Sequence, residues 1–198
     1  VKYILDYLVG TGVGIAKAQQ ALPVMYDAPS KGSGLTPSGE VFMRADWSTF
    51  KIVPYSPGHA RVFTNIFNGT EPWTNCPRSF LQKVISKAQK SGLNFMAAFE
   101  NEFYLLSRID EKLVPFDQSL FAQTSALDKA HYIISEITSS LAQQEIYPEM
   151  VYSESGGGQF EIPVHFSNIM TAADQQVVFR ETVRGVAQKN TNLVASFV

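Results

Sequence analysis

The chain has 198 residues, of which 45% are hydrophobic and 17% charged, a balance that suits a globular protein with a real core and argues against disorder. Its formal net charge of -2 and pI of about 5.9 leave no basic field for nucleic acid, and no Lys/Arg cluster is interleaved with aromatics. A lone cysteine, Cys76, excludes an internal disulfide and a Cys/His zinc site, which fits a reducing, cytoplasmic setting. The length accommodates one large domain or two small ones.

In chain order, residues 3–22 are too polar and too interrupted to span a bilayer, and no signal-peptide pattern opens the chain. Both ends read as cuts through structured sequence. "GIAKAQQAL" has the composition of a helix closed by Pro23. Residues 28–40 are a loop by their Gly, Ser, Pro and Thr content. "EVFMRADWSTFKIVPY" reads as strand, turn, strand, and "PGHARVFTNIF" as a further strand. A helix follows, with Pro77 in its first turn, Phe80, Leu81, Val84, Ile85 and Ala88 at helical spacing, and Gly92 as its stop. "LNFMAAFENEFYLLSRI" reads as one long strand. A second amphipathic helix carries Ala130, Ile133, Ile134, Ile137 and Leu141 on one face. A strand or turn near "YPEMVYSES", a glycine loop, the strand "QFEIPVHF" and the helix "TAADQQVVFRETVRGVAQKN" complete an α+β arrangement.

The carboxylates in two apolar segments carry the chemistry. Glu100 and Glu102 lie two apart in a strand, on one face and about 6.6–6.8 Å from each other along the chain. They need a compensating positive charge unless that face meets solvent on an edge strand; Phe99, Phe103, Tyr104, Leu105 and Leu106 suggest burial on at least one side. Glu154 and Glu161 flank three glycines that can reverse the chain, so both can face a common point. Carboxylate oxygens without His or Cys suit Mg²⁺ or Mn²⁺. Paired ions of that kind serve phosphoryl chemistry. The glycines do not form a Walker loop, because no lysine follows them; alone they are equally consistent with a mobile surface turn.

"AFENEFYLL" and "SESGGGQFEI" together resemble the two metal-binding strands of the glutamine synthetase superfamily, and the style is nearest its type I-related, fungal and plant nodulin-like group. "DWST" at 46–49, "CPRSFLQKVISKAQKSG" and "TAADQQVVFRETVRGVAQKN" resemble further segments of that family in the right order. The resemblance implies a β-grasp-like domain over residues 1–68, incomplete at its start, and the first part of a catalytic domain over 69–198. It implies that Glu102, Glu154 and Glu161 hold one divalent ion, Mg²⁺ or Mn²⁺, and Glu100 a second on the phosphates of ATP. Glu149 and Phe166 fall where the nucleotide is contacted. Asp46 would complete the site of a neighbouring subunit in a ring-shaped homo-oligomer, helping to bind and deprotonate ammonium. The implied reaction joins ammonia, or another amine, to the γ-carboxylate of glutamate through γ-glutamyl phosphate.

The match has departures. Tyr152 stands where the family often has His, and Cys76 where an Asp is usual. His59 and His131 read as surface residues, whereas His165 shares a strand face with Glu161 by period two. The same alternation puts Phe166 on the opposite face, so its adenine role needs a bulge or twist. Further ligands and the phosphate-binding arginines of the family fall beyond this segment, so the chain alone is expected to be inactive. A non-catalytic relative and a generic Mg²⁺-dependent phosphotransfer enzyme are the competing readings.

Overall fold

The computed structural model describes residues 2–23, 25–190 and 192–197. It is α+β, with antiparallel sheets and four α-helices, and it divides into two compact units, residues 1–50 with 61–93 and residues 51–60 with 94–198.

The first unit begins with α1 (Lys2–Val9) and β1 (Val13–Ala16), followed by a 3-10 turn at Lys17–Ala21. The run expected as a helix is therefore strand and turn. Its first half pairs with β2 (Glu40–Ile52) in the register Val13↔Met43 to Ala16↔Glu40, and sheet pairing overrides helix propensity there. β2 is also one continuous strand where a turn was expected. Asp46 meets its local demand by accepting from the Ser48 N–H at 3.2 Å, a contact made without ending the strand. β3 (Ala60–Asn68) and β4 (Glu71–Pro72) complete a sheet of order β1-β2-β3-β4 around Val41, Ile66, Trp73 and Cys76.

Helix α2 (Pro77–Lys90) starts as its sequence predicts, with Pro77 in the first turn and the Cys76 sulfur accepting from the Ser79 N–H at 3.5 Å. Burial pushes the Cys76 thiol up, but the Ser79 hydroxyl, then the N–H groups of Ser79, Ile66 and Arg78, outweigh it and leave the thiol below its ordinary value. Gly92, at φ +76°, terminates the helix. The apolar stripe of α2 is only partly covered among the described residues: Leu81, Ile85 and Ala88 are half-buried, whereas Phe80 is 63% and Val84 46% exposed.

In the second unit the predicted long strand is broken into β5 (Met96–Ala97) and β6 (Glu100–Ile109). The break lies at Ala98–Phe99, where the Asn101 side chain donates to the Phe99 carbonyl at 3.2 Å. β6 turns into β7 (Lys112–Pro115) through Asp110 and Glu111, both at positive φ. Next come α3 (Thr124–Gln143), β8 (Tyr152–Ser153), β9 (Gln159–Pro163), β10 (Ser167–Asn168), α4 (Ile169–Gln188) and β11 (Leu193–Ser196). β6 pairs with β11, β7 and β9, and β10 pairs with β5. The apolar face of α3 is buried as its spacing predicts. Phe103, Phe160 and Phe179 form the aromatic centre of the core, with Phe103–Phe160 ring centroids 6.2 Å apart. Burial of such side chains stabilises by about 1.5–3 kcal/mol each and anchors the strands whose opposite face carries the acids.

Candidate active site

Strands β6, β9 and β8 lie side by side and antiparallel, and their register lines up one row of side chains. Glu102 opposes Glu161, which on its other side opposes Tyr152. Directly opposed residues project from the same face. Two residues along, Glu100 opposes Pro163, whose carbonyl accepts from the Glu149 N–H at 2.9 Å. Two residues the other way, Tyr104 opposes Gln159, whose carbonyl accepts from the Glu154 N–H at 2.8 Å. Pro148 bridges Val164 while Tyr152 pairs with Glu161, so four residue steps face three and one residue bulges between them.

Phe103 and Leu105 fill the opposite face of β6, as the apolar neighbours suggested. The acids themselves are less enclosed than expected. Only Glu161 is buried, at 6% exposure; Glu154 is half-buried, and Glu100 and Glu102 are exposed within this chain. β6 is not an edge strand, so their exposure is that of an open sheet face.

The glycine loop is not a loose turn. Gly158 has φ +71°, and a Cβ there would lie 2.4 Å from the Leu105 carbonyl oxygen. At Gly156 a Cβ would sit 2.6 Å from Gln159 Oε1 and 2.8 Å from the Tyr104 ring. Close approach of backbone, not mobility, requires these glycines. Gln159 joins loop and acid: its Oε1 accepts from the Gly156 N–H at 2.8 Å and from the Tyr104 hydroxyl at 3.2 Å, and its Nε2 donates to Glu102 at 2.5 Å.

The Glu161 carboxylate, opposite Tyr152 in register, then desolvation and the fields of Glu154 and Glu100, push the Tyr152 phenol up to about 12. The Glu154 carboxylate turns back onto Ser155, accepting from its N–H at 2.9 Å. Among the described residues no three His, Cys, Asp or Glu side chains converge closely enough to hold a metal ion. The register therefore unites Glu102 with Glu161, and leaves Glu100 two residues along and Glu154 turned aside. The donor set still fits a hard divalent cation: like charges face one another across β6 and β9, and the side chains beside them, Gln159 donating to Glu102 and Tyr152 opposite Glu161, are neutral.

The remaining candidates lie apart from that pair. Glu149 is exposed, at the Pro163 end of β9. β9 ends at Pro163, so period two does not carry on to His165 or Phe166. Both are exposed, and their rings stack with centroids 4.5 Å apart. In the first unit, Asp46 accepts from the Ser48 hydroxyl at 2.6 Å and from Arg78 at 2.8 Å, and Arg78 also donates to Asn65 at 2.7 Å. The Ser48 hydroxyl, then Arg78, hold the Asp46 carboxyl below its ordinary value against a partly opposing desolvation.

Gln159 was not singled out in the sequence, although it stands two residues before Glu161 and so shares its face. Asp117 had no signal: it is buried, accepts from the Ser119 N–H at 2.6 Å and pairs with Lys129, which ties the segment after β7 to α3.

The sequence model of the family described as "Glutamine synthetase, catalytic domain" matches residues 74–198. The chain belongs to the glutamine synthetase family. It is 33% identical over 178 residues to Type-1 glutamine synthetase 1 of Dictyostelium discoideum, covering 81% of this chain and 36% of that protein. It is 28% identical over 174 residues to glutamate–methylamine ligase of Methyloversatilis universalis, covering 84% of this chain and 39% of that protein. A crystal structure described as a novel glutamine synthase homolog superposes with a TM-score of 0.82 at 27% identity, over 98% of this chain and 45% of the other. The chain thus spans between about a third and a half of the length of these relatives. Among the described residues no helix is long and apolar enough to cross a membrane.

Proposed function

We propose that these residues serve a cytoplasmic, ATP-dependent carbon–nitrogen ligase that joins ammonia to the γ-carboxylate of glutamate through γ-glutamyl phosphate. The observation that carries this reading is the Glu102–Glu161 pair, opposed in register on the one sheet face that also bears Glu100. In this reading Glu102, Glu161 and Glu154 hold one Mg²⁺ or Mn²⁺ ion and Glu100 contributes to a second. Such ions, when bound, screen the phosphate oxygens of ATP. The protein's own part is placement. Sheet register fixes the two acids with Tyr152 opposite Glu161, and Gln159 orients Glu102. A swing of the Glu154 carboxylate off Ser155 is required to complete the set. Glu149 and Phe166 contact the nucleotide. Asp46, kept ionised by Ser48 and Arg78, attracts an ammonium ion at the site of an adjacent subunit in a homo-oligomer; the domain division is at residue 68.

A second reading, glutamate ligation to a larger amine, is favoured by the relatives that are glutamate–methylamine and glutamate–isopropylamine ligases. Phosphate release from ATP by the full-length protein, with glutamate and Mg²⁺, tests both. Release dependent on ammonium and lost in Glu102→Ala and Glu161→Ala supports the first. Release only with an alkylamine selects the second, and none with any acceptor leaves a non-catalytic relative. The 198-residue chain by itself is expected to form no glutamine, and formation by the purified chain would overturn that expectation.

A further inference from the structure

The two ends of the Gln159 amide face different partners. Its Oε1 accepts from the Gly156 N–H at 2.8 Å and from the Tyr104 hydroxyl at 3.2 Å. A backbone N–H can only donate, so the amide cannot turn over without setting donor against donor. Room to swing is also lacking, since even a methyl group on Gly156 would meet Gln159 Oε1 at 2.6 Å and the Tyr104 ring at 2.8 Å. Nε2 is therefore committed to Glu102, where it donates to Oε2 at 2.5 Å. One oxygen of that carboxylate carries a donor before any cation arrives, and Oε1 is the oxygen left to bind one.

The number of oxygens a carboxylate offers separates one hard cation from another. Ca²⁺ takes roughly six to eight oxygen ligands at about 2.3–2.6 Å in flexible geometry, and it accepts both oxygens of one carboxylate. Mg²⁺ demands a near-octahedral shell at about 2.0–2.1 Å, which the narrow bite of a two-oxygen carboxylate strains, and Mn²⁺ shares the octahedral preference. We propose that Gln159 is a specificity-determining residue: by occupying Glu102 Oε2 it confines that acid to one-oxygen ligation and biases the site towards Mg²⁺ and Mn²⁺ against Ca²⁺. This rests on the metal-site reading above and adds the ion that the site rejects. The amide is neutral, so Glu102 keeps its full attraction for a divalent ion while losing only the second point of attachment.

The test uses the full-length protein without nucleotide. Free Mn²⁺ is followed by electron paramagnetic resonance, and Ca²⁺ is added to displace the bound ion. The unmodified protein is expected to hold Mn²⁺ in preference to Ca²⁺. Gln159→Met keeps the length and removes the donor, and is expected to narrow the ratio of Mn²⁺ to Ca²⁺ affinity about 10-fold, within the range by which partners of metal ligands act. Gln159→Glu keeps acceptors for Gly156 and Tyr104 but has no donor for Glu102. It is expected to gain Ca²⁺ affinity relative to Mn²⁺, and it carries the test if Gln159→Met does not fold. An unchanged ratio, with both affinities falling together, overturns the proposal, since Gln159 is then only structural. A ratio that widens overturns it too. Equal affinity for the two ions in the unmodified protein overturns the proposal and leaves the metal-site reading standing. No Mn²⁺ binding by the unmodified protein overturns both.

Discussion

Gln159 and Glu102 are 57 residues apart in sequence and joined by a 2.5 Å hydrogen bond, with the other end of the same amide gripping the N–H of Gly156. One side chain therefore couples the shape of the glycine loop to the aim of an acid on the neighbouring strand. Replacing it with Leu keeps the bulk and removes three hydrogen bonds, two of them at the oxygen. Gln159→Leu is expected to lower stability by about 1–3 kcal/mol in urea unfolding and to weaken Mn²⁺ binding in parallel. Unchanged stability would mean that water replaces the amide without cost.

Gly158 and Gly92 separate two reasons for a glycine. Both have positive φ, but only Gly158 faces backbone at 2.4 Å, whereas nothing lies within 4 Å of a Cβ at Gly92. Gly92→Ala is expected to cost about 1 kcal/mol from conformation alone. Gly158→Ala adds a collision with the Leu105 carbonyl and is expected to cost about 2–4 kcal/mol. Equal costs in chemical denaturation would show that β6 can retreat from the loop.

Asp117 links the fold to acid. Its Lys129 partner, then Ser119, bring its pKa from an ordinary 3.8 to about 2, so the unfolded chain takes up the proton more readily than the folded one. The resulting stabilisation is complete above about pH 4 and fades as pH falls towards 2. With Lys129 partly exposed, its size is on the order of 1 kcal/mol. Asp117→Asn should flatten that part of the stability–pH curve, and an unchanged acid limb would assign it to other groups.

Arg78 controls Asp46. Arg78→Met is expected to raise the Asp46 pKa, seen in the carboxyl carbon shift by nuclear magnetic resonance, while the Ser48 contacts keep it from rising fully. Because Arg78 also donates to Asn65, a loss of about 1–2 kcal/mol in stability should accompany the shift. A carboxyl that does not move would leave Ser48 as the sole effective partner.

Segments whose signal is periodic were legible in the sequence. α3 buries Ala130, Ile133, Ile134, Ile137 and Leu141 as their spacing predicts, and β6 buries Phe103 and Leu105 behind Glu102. What escaped depends on partners distant in sequence. β1 is a strand because β2 lies beside it, although its residues continue into a helix-forming run. The hairpin of β6 and β7 turns on Asp110-Glu111 at φ 47° and 62°, a pair that lacks the Asn-Gly signature of such turns. The acids were recognised by residue type. Their convergence was only partly foreseeable, because register pairs Glu102 with Glu161 while a local bond turns Glu154 away.

β9 and β7 divide one edge of β6 between them, with Gly158 at the junction beside Leu105 and Phe116. The hairpin closes over two residues, whereas β9 must arrive from about 50 residues away, so chain entropy orders the events: β7 docks early and β9 late. A late strand can dock one residue out of step, and here that slip would turn Phe160 to the solvent and drive Glu161 into the apolar layer. The hairpin already in place forms a wall at Phe116, and only a residue without a side chain fits against it. The glycine thus works as a ruler for a strand still searching for its alignment, and the meeting of the two acids is settled at the moment it fits.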